Sequence, residues 1–337
     1  MPRPAPSEVS RPLRFIGTGL KRPECVVAHQ SGLLFAPDWR GNGGISITTP
    51  QGTSHVIEAK GDLAPFRPNG IALEPGGTFL TANLGAEQGG LYRFHPDGAL
   101  EPVLTTLNNR PVPPSNFVHL DAMGRIWLSV STRKTPRSLG YNPDVRDGFV
   151  VLMDKGQARI VVDNLGYTNE CVVSPFDGRL YINETFGRRT VAFDLDRVGN
   201  ARRSSLVASF GTGTFPDGLT FDGDGGVWIT SIVSNRVIRL GPNGAPDVIL
   251  EDNDPDFLIS VEHAYRNRRM GRRQLDTVRS RQLQNISNLA FGGPDMRTAY
   301  LGCLLGTEIA AMETDVAGYA FPHYTYPLGP LERYLSE

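Results

Sequence analysis

The chain of 337 residues carries 34 Lys and Arg against 35 Asp and Glu, a net charge of −1 at pH 7. That balance excludes the basic surface nucleic acid requires, and no apolar run approaches the ~20 residues of a membrane-spanning helix. Its 38 Gly and 26 Pro point to many turns, and its three cysteines, Cys25, Cys171 and Cys303, are too few and too scattered for a disulfide framework or a zinc knuckle. They read as small buried hydrophobes in a reducing, cytoplasmic compartment.

Residues 1–13 are rich in Pro, Arg and Ser and lack an apolar core, so they read as a flexible tail rather than a secretion signal. Residues 14–337 are then expected to form one domain. Its first strand, Arg14-Phe15-Ile16-Gly17, is placed to complete the last structural repeat. From there one pattern recurs: a polar anchor, a short apolar strand, a turn and a returning strand. In its clearest copy Asp217-Gly218 opens Leu219-Thr220-Phe221, the cluster Asp222-Gly223-Asp224-Gly225-Gly226 turns the chain, and Val227-Trp228-Ile229-Thr230 returns. The anchors are Glu24, Asn69, Asn116, Asn169, Asp217 and Asn288, each followed eleven or twelve positions later by a large apolar residue. Their steps are 45, 47, 53, 48 and 71 residues. Periods of roughly 40–50 residues built of short strands mark propeller blades. The expected fold is all-β, a six-bladed β-propeller with a helical insertion between blades five and six.

Two segments depart from the repeat. Residues 132–147 in blade three are polar and long for a hairpin, and are expected to overhang one face. The insertion, about 252–285, has a Pro-free centre over 261–283, with Val261, Ala264, Tyr265, Leu275, Val278 and Leu283 at approximately helical spacing. Seven arginines (266, 268, 269, 272, 273, 279 and 281) stand there against two acids, Glu262 and Asp276. Two readings are open: a solvated helical face that joins subunits into a homo-oligomer, or a cap over the channel that attracts an anionic substrate.

In a propeller the starts of the innermost strands converge on one channel mouth. Here those residues are Asn, Asp or Glu, and none is His or Cys. A ring of oxygen donors suits one hard divalent cation, calcium above magnesium, manganese or zinc, and Glu24 with Asp217 supplies two balancing charges. Alternation puts His119, three residues past Asn116, on the face away from the channel as a packed core histidine. It does the same for Glu170 unless a bulge turns that residue inward.

The order and spacing of several pieces resemble the senescence-marker-protein, gluconolactonase and luciferin-regenerating-enzyme family. They are Arg22-Pro23-Glu24; Ser115-Asn116 with Asp121 and Gly124; Thr168-Asn169 with Ser174-Pro175; and Pro216-Asp217-Gly218 with Gly225 and Trp228. The resemblance implies a metal held by Glu24, Asn116, Asn169 and Asp217, with Asp217 also the general base of lactone hydrolysis. Asn69 matches the Pro-Asn-Gly of some members and is expected to touch substrate or bound water. Phe117 and Glu170, beside two of the ligands, are expected as substrate contacts where the chain departs from the family pattern. An Asp commonly follows the second-ligand Asn in gluconolactonases, where Phe117 stands here; a Gly usually follows the third, where Glu170 stands. Phe117 favours a more apolar lactone or ester. The alternatives are a phosphotriesterase-type hydrolase on the same metal and a non-catalytic propeller that binds partners on its rim.

Overall fold

The computed structural model describes residues 11–63, 65–85, 89–242, 244–277 and 279–336. The tail residues 1–10, Val278 and Asn243 of the turn at 242–244 lie outside the described residues. Six four-stranded antiparallel sheets surround a central channel. Blade one is Val27–Ala28, Leu34–Asp38, Gly44–Thr48 and Ser54–Glu58, from the channel outward. The other inner strands are Pro68–Leu73, Phe117–Leu120, Thr168–Val173, Phe215–Phe221 and Ile286–Gly292. Arg14–Ile16 pairs antiparallel with Ile309–Glu313 as the outermost strand of blade six, so the first strand closes the ring on the last blade.

The turn chemistry of the repeat explains the hairpins. Asp222 accepts hydrogen bonds from the amides of Asp224 and Gly226, from Trp228 Nε1 at 2.8 Å and from Arg239 Nε at 2.6 Å. Gly225 takes φ +84°, which a side chain would disfavour. Asp121, Gly124 and Trp127 repeat the device in blade three, with Trp127 Nε1 donating to Asp121 at 2.9 Å. One carboxylate thus fixes both the turn and the returning tryptophan. The inner strand Phe215–Phe221 is buried throughout, whereas the outer strand Ala201–Ser209 is largely exposed. Leu80, Val118, Leu128 and Val151 pack blade two against blade three, and Trp228, Leu289, Phe291 and Leu301 pack five against six. All three cysteines are buried and free.

The insertion supplies two helices, α1 (Pro255–Arg266) and α2 (Arg272–Asp276). The first starts six residues before the Pro-free centre read from the sequence. Pro255 stands at its first position, where its missing N–H costs nothing, and the Asp254 side chain accepts from Phe257 N at 2.9 Å as the N-cap. The apolar face of α1 (Leu258, Val261, Ala264, Tyr265) packs on Tyr167, Phe186 and Phe215. No described helix is long and apolar enough to cross a membrane.

At the opposite mouth the chain's last stretch folds across the channel. Tyr319 N donates to Phe221 O, Gln30 N to Tyr324 O, and Leu331 and Tyr334 join the core of blades one and two. Under it lies a cavity of about 90 Å³ lined by His119, His323, Phe321 and Tyr319 among others. The expectation for His119 is corrected here. Rather than facing away, it lines this cavity, edge-on to Phe321 at 6.0 Å between ring centres. The C-terminal aromatics bring the partner that strand alternation does not foresee.

Candidate active site

The strand register is broken at the anchors. Irregularities fall between Pro68 and Ile71, Thr168 and Cys171, Pro216 and Leu219, and Ile286 and Asn288. Such bulges re-aim side chains, and they turn Asn69, Asn169 and Asp217 to the channel mouth. Gly70 and Gly218 serve the crowding there rather than a turn. A Cβ on Gly70 would stand 2.5 Å from Phe117 Cα, and one on Gly218 2.7 Å from Asn288 Cα. The bulge also turns Glu170 inward, which alternation alone denies.

Glu24, Asn69, Asn116, Asn169 and Asp217, each buried, line one hollow together with Phe117 and Glu170. Asn288, the sixth anchor, stands apart; its Nδ2 donates to Glu170 Oε1 and its Oδ1 accepts from Val26 N, both at 2.8 Å. Asn69 Nδ2 reaches Glu24 Oε1 at 3.2 Å and the Asn116 backbone oxygen at 2.8 Å. Asn116 Nδ2 donates to Asn169 Oδ1 at 2.5 Å, and Asn169 Nδ2 to Thr185 Oγ1 at 3.0 Å. Glu24 and the three asparagines are therefore a connected chain from four neighbouring blades, with Asp217 of the fifth beside it.

Its electrostatics are unbalanced. The Asp217 carboxylate accepts no hydrogen bond from any described residue. Burial, then the carboxylates of Glu24 and Glu170, hold it well above the usual carboxylate range, with Arg22 and Arg137 pulling the other way. Burial also pushes Glu170 up to about 8, against the Leu219 amide and Asn288 Nδ2 that bond its charged form. Glu24 Oε2 lies 2.6 Å from Arg22 Nη2, and the buried Asn69 Oδ1 has no hydrogen-bond partner. Crowded acids with free oxygens fit a hard divalent cation, and the one thiol in the lining, Cys25, is turned to the Ile71 carbonyl.

A second hollow, about 30 Å³, lies above the ring and is roofed by the insertion through Arg272 and Leu275. The overhanging segment 132–147 contributes Arg137 and Tyr141, as its length predicts. Arg137 Nη2 donates to Asn116 Oδ1 at 3.1 Å and Ser131 Oγ at 3.0 Å. Arg22 stacks on Trp39, 4.5 Å from the ring centre, with backbone φ +60°; left-handed non-glycine backbone of this kind gathers at functional sites. Sequence reasoning missed Arg137 and Arg272 as individual site residues. Arg22 carried a signal, since it lies two residues from an anchor. Phe117 and Glu170 lie at the floor of the ring, not in the upper hollow.

Residues 22–251 match the family model of the SMP-30/Gluconolactonase/LRE-like region. The chain belongs to this family. This family member is 28% identical over 189 residues to a 6-deoxy-6-sulfogluconolactonase from Pseudomonas putida, covering 55% of the chain and 52% of that protein. It thus spans about half the length of that curated relative. Among solved structures, a gluconolactonase from Xanthomonas campestris superposes with a TM-score of 0.64 at 17% identity, covering 89% of each chain. A calcium-binding protein, regucalcin, from Agrobacterium tumefaciens superposes with a TM-score of 0.61 at 17% identity, covering 95% of this chain and 96% of that one. At these identities the likeness shows the shared propeller fold.

Proposed function

We propose that this family member opens a lactone by hydrolysis at the capped channel mouth, with Asp217 as general base. The observation that carries the reading is the buried Asp217 carboxylate, which accepts no hydrogen bond from any described residue, beside Glu24 in a ring of side-chain oxygens. The family and its gluconolactonase relatives support lactone hydrolysis as the reaction class.

Glu24, Asn116, Asn169 and Asp217 would hold one divalent cation; when bound, it supplies Lewis acidity toward the lactone carbonyl. Calcium suits an all-oxygen set better than zinc, which favours imidazole and thiolate, and the regucalcin relative is described as calcium-binding. Asp217 takes the proton of the attacking water. The water oxygen bonds to the carbonyl carbon, the ring C–O bond breaks, and Asp217 returns the proton to the leaving alkoxide. The products are the acid and hydroxyl ends of one opened chain. Asn69 ties Glu24 to the Asn116 backbone and keeps the ring closed. Tyr141, Tyr167 and Phe186 wall the hollow and limit water.

The test is a panel of neutral and acidic lactones assayed on protein stripped of metal, then supplied with calcium. Loss of hydrolysis on chelation and recovery with calcium supports the reading. Full activity in excess chelator, with no metal retained by elemental analysis, overturns it.

A further inference from the structure

We propose that the substrate carries a fixed anionic group, such as a carboxylate, sulfonate or phosphate monoester, and that Arg137, assisted by Arg272, binds it. The inference rests on the lactonase reading for its reaction and deepens it by naming the substrate class.

The arginine-rich insertion is not a diffuse positive lid. Arg266 pairs with Glu262 and Arg268 with Asp144, both away from the hollow. Arg272 is the one cap arginine that lines it, and that guanidinium has Asp276 at 2.6 Å. Arg22 has Glu24 at 2.6 Å. Arg137 differs from both. It pairs with no described carboxylate, its Nη2 meets only the neutral oxygens of Asn116 and Ser131, and its buried Nε has no acceptor. The ring of Tyr167 lies 5.6 Å from its guanidinium carbon, which shields it from water on that side. A guanidinium offers five N–H donors in a fixed fork, and here most of them await an acceptor.

Charge counting points the same way. A bound divalent cation would be balanced by Glu24 and Asp217, and Glu24 also faces Arg22. Arg137 is then left with no counter-charge of its own in the hollow. A partly buried, uncompensated cation is costly, and an oxyanion accepting from the unused donors of Arg137 supplies the missing counter-charge through charge-assisted hydrogen bonds.

The experiment compares 5-oxotetrahydrofuran-2-carboxylate, its neutral carboxamide and the 2-sulfomethyl analogue, so that ring and reacting bond are constant. Wild type is expected to favour both anionic lactones over the carboxamide by at least ~10-fold in kcat/KM. Arg137→Gln is expected to collapse that ratio toward one, chiefly through KM, and Arg137→Lys to restore part of it because charge returns without the fork. Arg272→Gln should lower the ratio less. Binding of the non-hydrolysable tetrahydrofuran-2-carboxylate to each calcium-loaded protein, measured calorimetrically, reads the anion site independently of turnover. If no lactone is hydrolysed yet the carboxylate binds wild type and not Arg137→Gln, the lactonase reading fails and the anion site stands. Equal losses on anionic and neutral lactones in Arg137→Gln, or carboxylate binding that ignores Arg137, overturn the proposal.

Discussion

Glu262 on the cap helix accepts hydrogen bonds from both terminal nitrogens of Arg188 in blade four, at 3.1 and 2.6 Å. Arg266 Nε and the Gly213 amide complete its shell, and Arg188 lies 3.9 Å from the Tyr265 ring centre. This clamp holds the insertion over the channel. Glu262→Gln leaves Arg188 without its counter-charge and is expected to destabilise the fold by about 2–4 kcal/mol, read from denaturant midpoints.

The same clamp has a pH signature. Burial alone would raise the Glu262 pKa, but Arg188 and Arg266 outweigh it and bring it down to about 2 from an ordinary 4.5. Between those values the unfolded chain binds more protons, so this stabilisation is present above pH 4.5 and lost as pH falls toward 2. The stability gap between wild type and Glu262→Gln should therefore be full at pH 6 and narrower at pH 3. A gap that stays constant means that the pair does not depend on the carboxylate's charge.

At the far mouth, burial lowers His119 to about 4, and burial with His119 and His29 lowers His323 to about 4. An unfolded histidine takes its proton near 6.5, so folding loses stability as pH drops from 6.5 toward 4. The double variant His119→Gln with His323→Phe should show a flatter melting temperature between pH 6.5 and 5 than wild type, before most carboxylates titrate. Parallel curves would mean that the two rings titrate normally.

Asp222 carries a purely structural prediction. Asp222→Ala strips the partner from Arg239 Nε and Trp228 Nε1 at once. A cost of about 3–5 kcal/mol follows from a buried ion pair broken on one side plus an orphaned indole N–H. A loss below about 1 kcal/mol, typical of a surface change, would show that the turn glycine and strand pairing suffice.

The blades were legible because each repeats an anchor, an Asp-x-x-Gly turn or its variant, and a large returning residue at nearly fixed spacing. Even the closing strand Arg14–Ile16 follows from that logic, since blade six is otherwise one strand short. Alternation failed at Glu170 because the register breaks at Asn169, and bulges leave little trace in composition. It failed at His119 because the covering segment, with Tyr319 and Phe321, belongs to no repeat. Helix α1 begins ahead of the Pro-free centre because Pro255 is a first-turn residue, where proline is tolerated. Period alone marked six anchors; five share the hollow, and it gave no sign that Asn288 stands apart. Arg137 was not, since its placement comes from the fold of a long irregular segment that carries no periodic signal.

The measurement that bears most directly on the proposed chemistry is turnover of Asp217→Asn at saturating calcium. The substitution keeps the shape and one oxygen donor while removing the charge and the basic site, so metal affinity must be titrated first. Asn169→Asp serves as the control, adding charge to the ring without touching the base. The predicted result is a fall in kcat on the order of a hundredfold or more, typical of a lost general base, with a correctly folded, metal-loaded protein. Near-normal kcat in metal-saturated Asp217→Asn would contradict the account and leave Asp217 as a ligand alone.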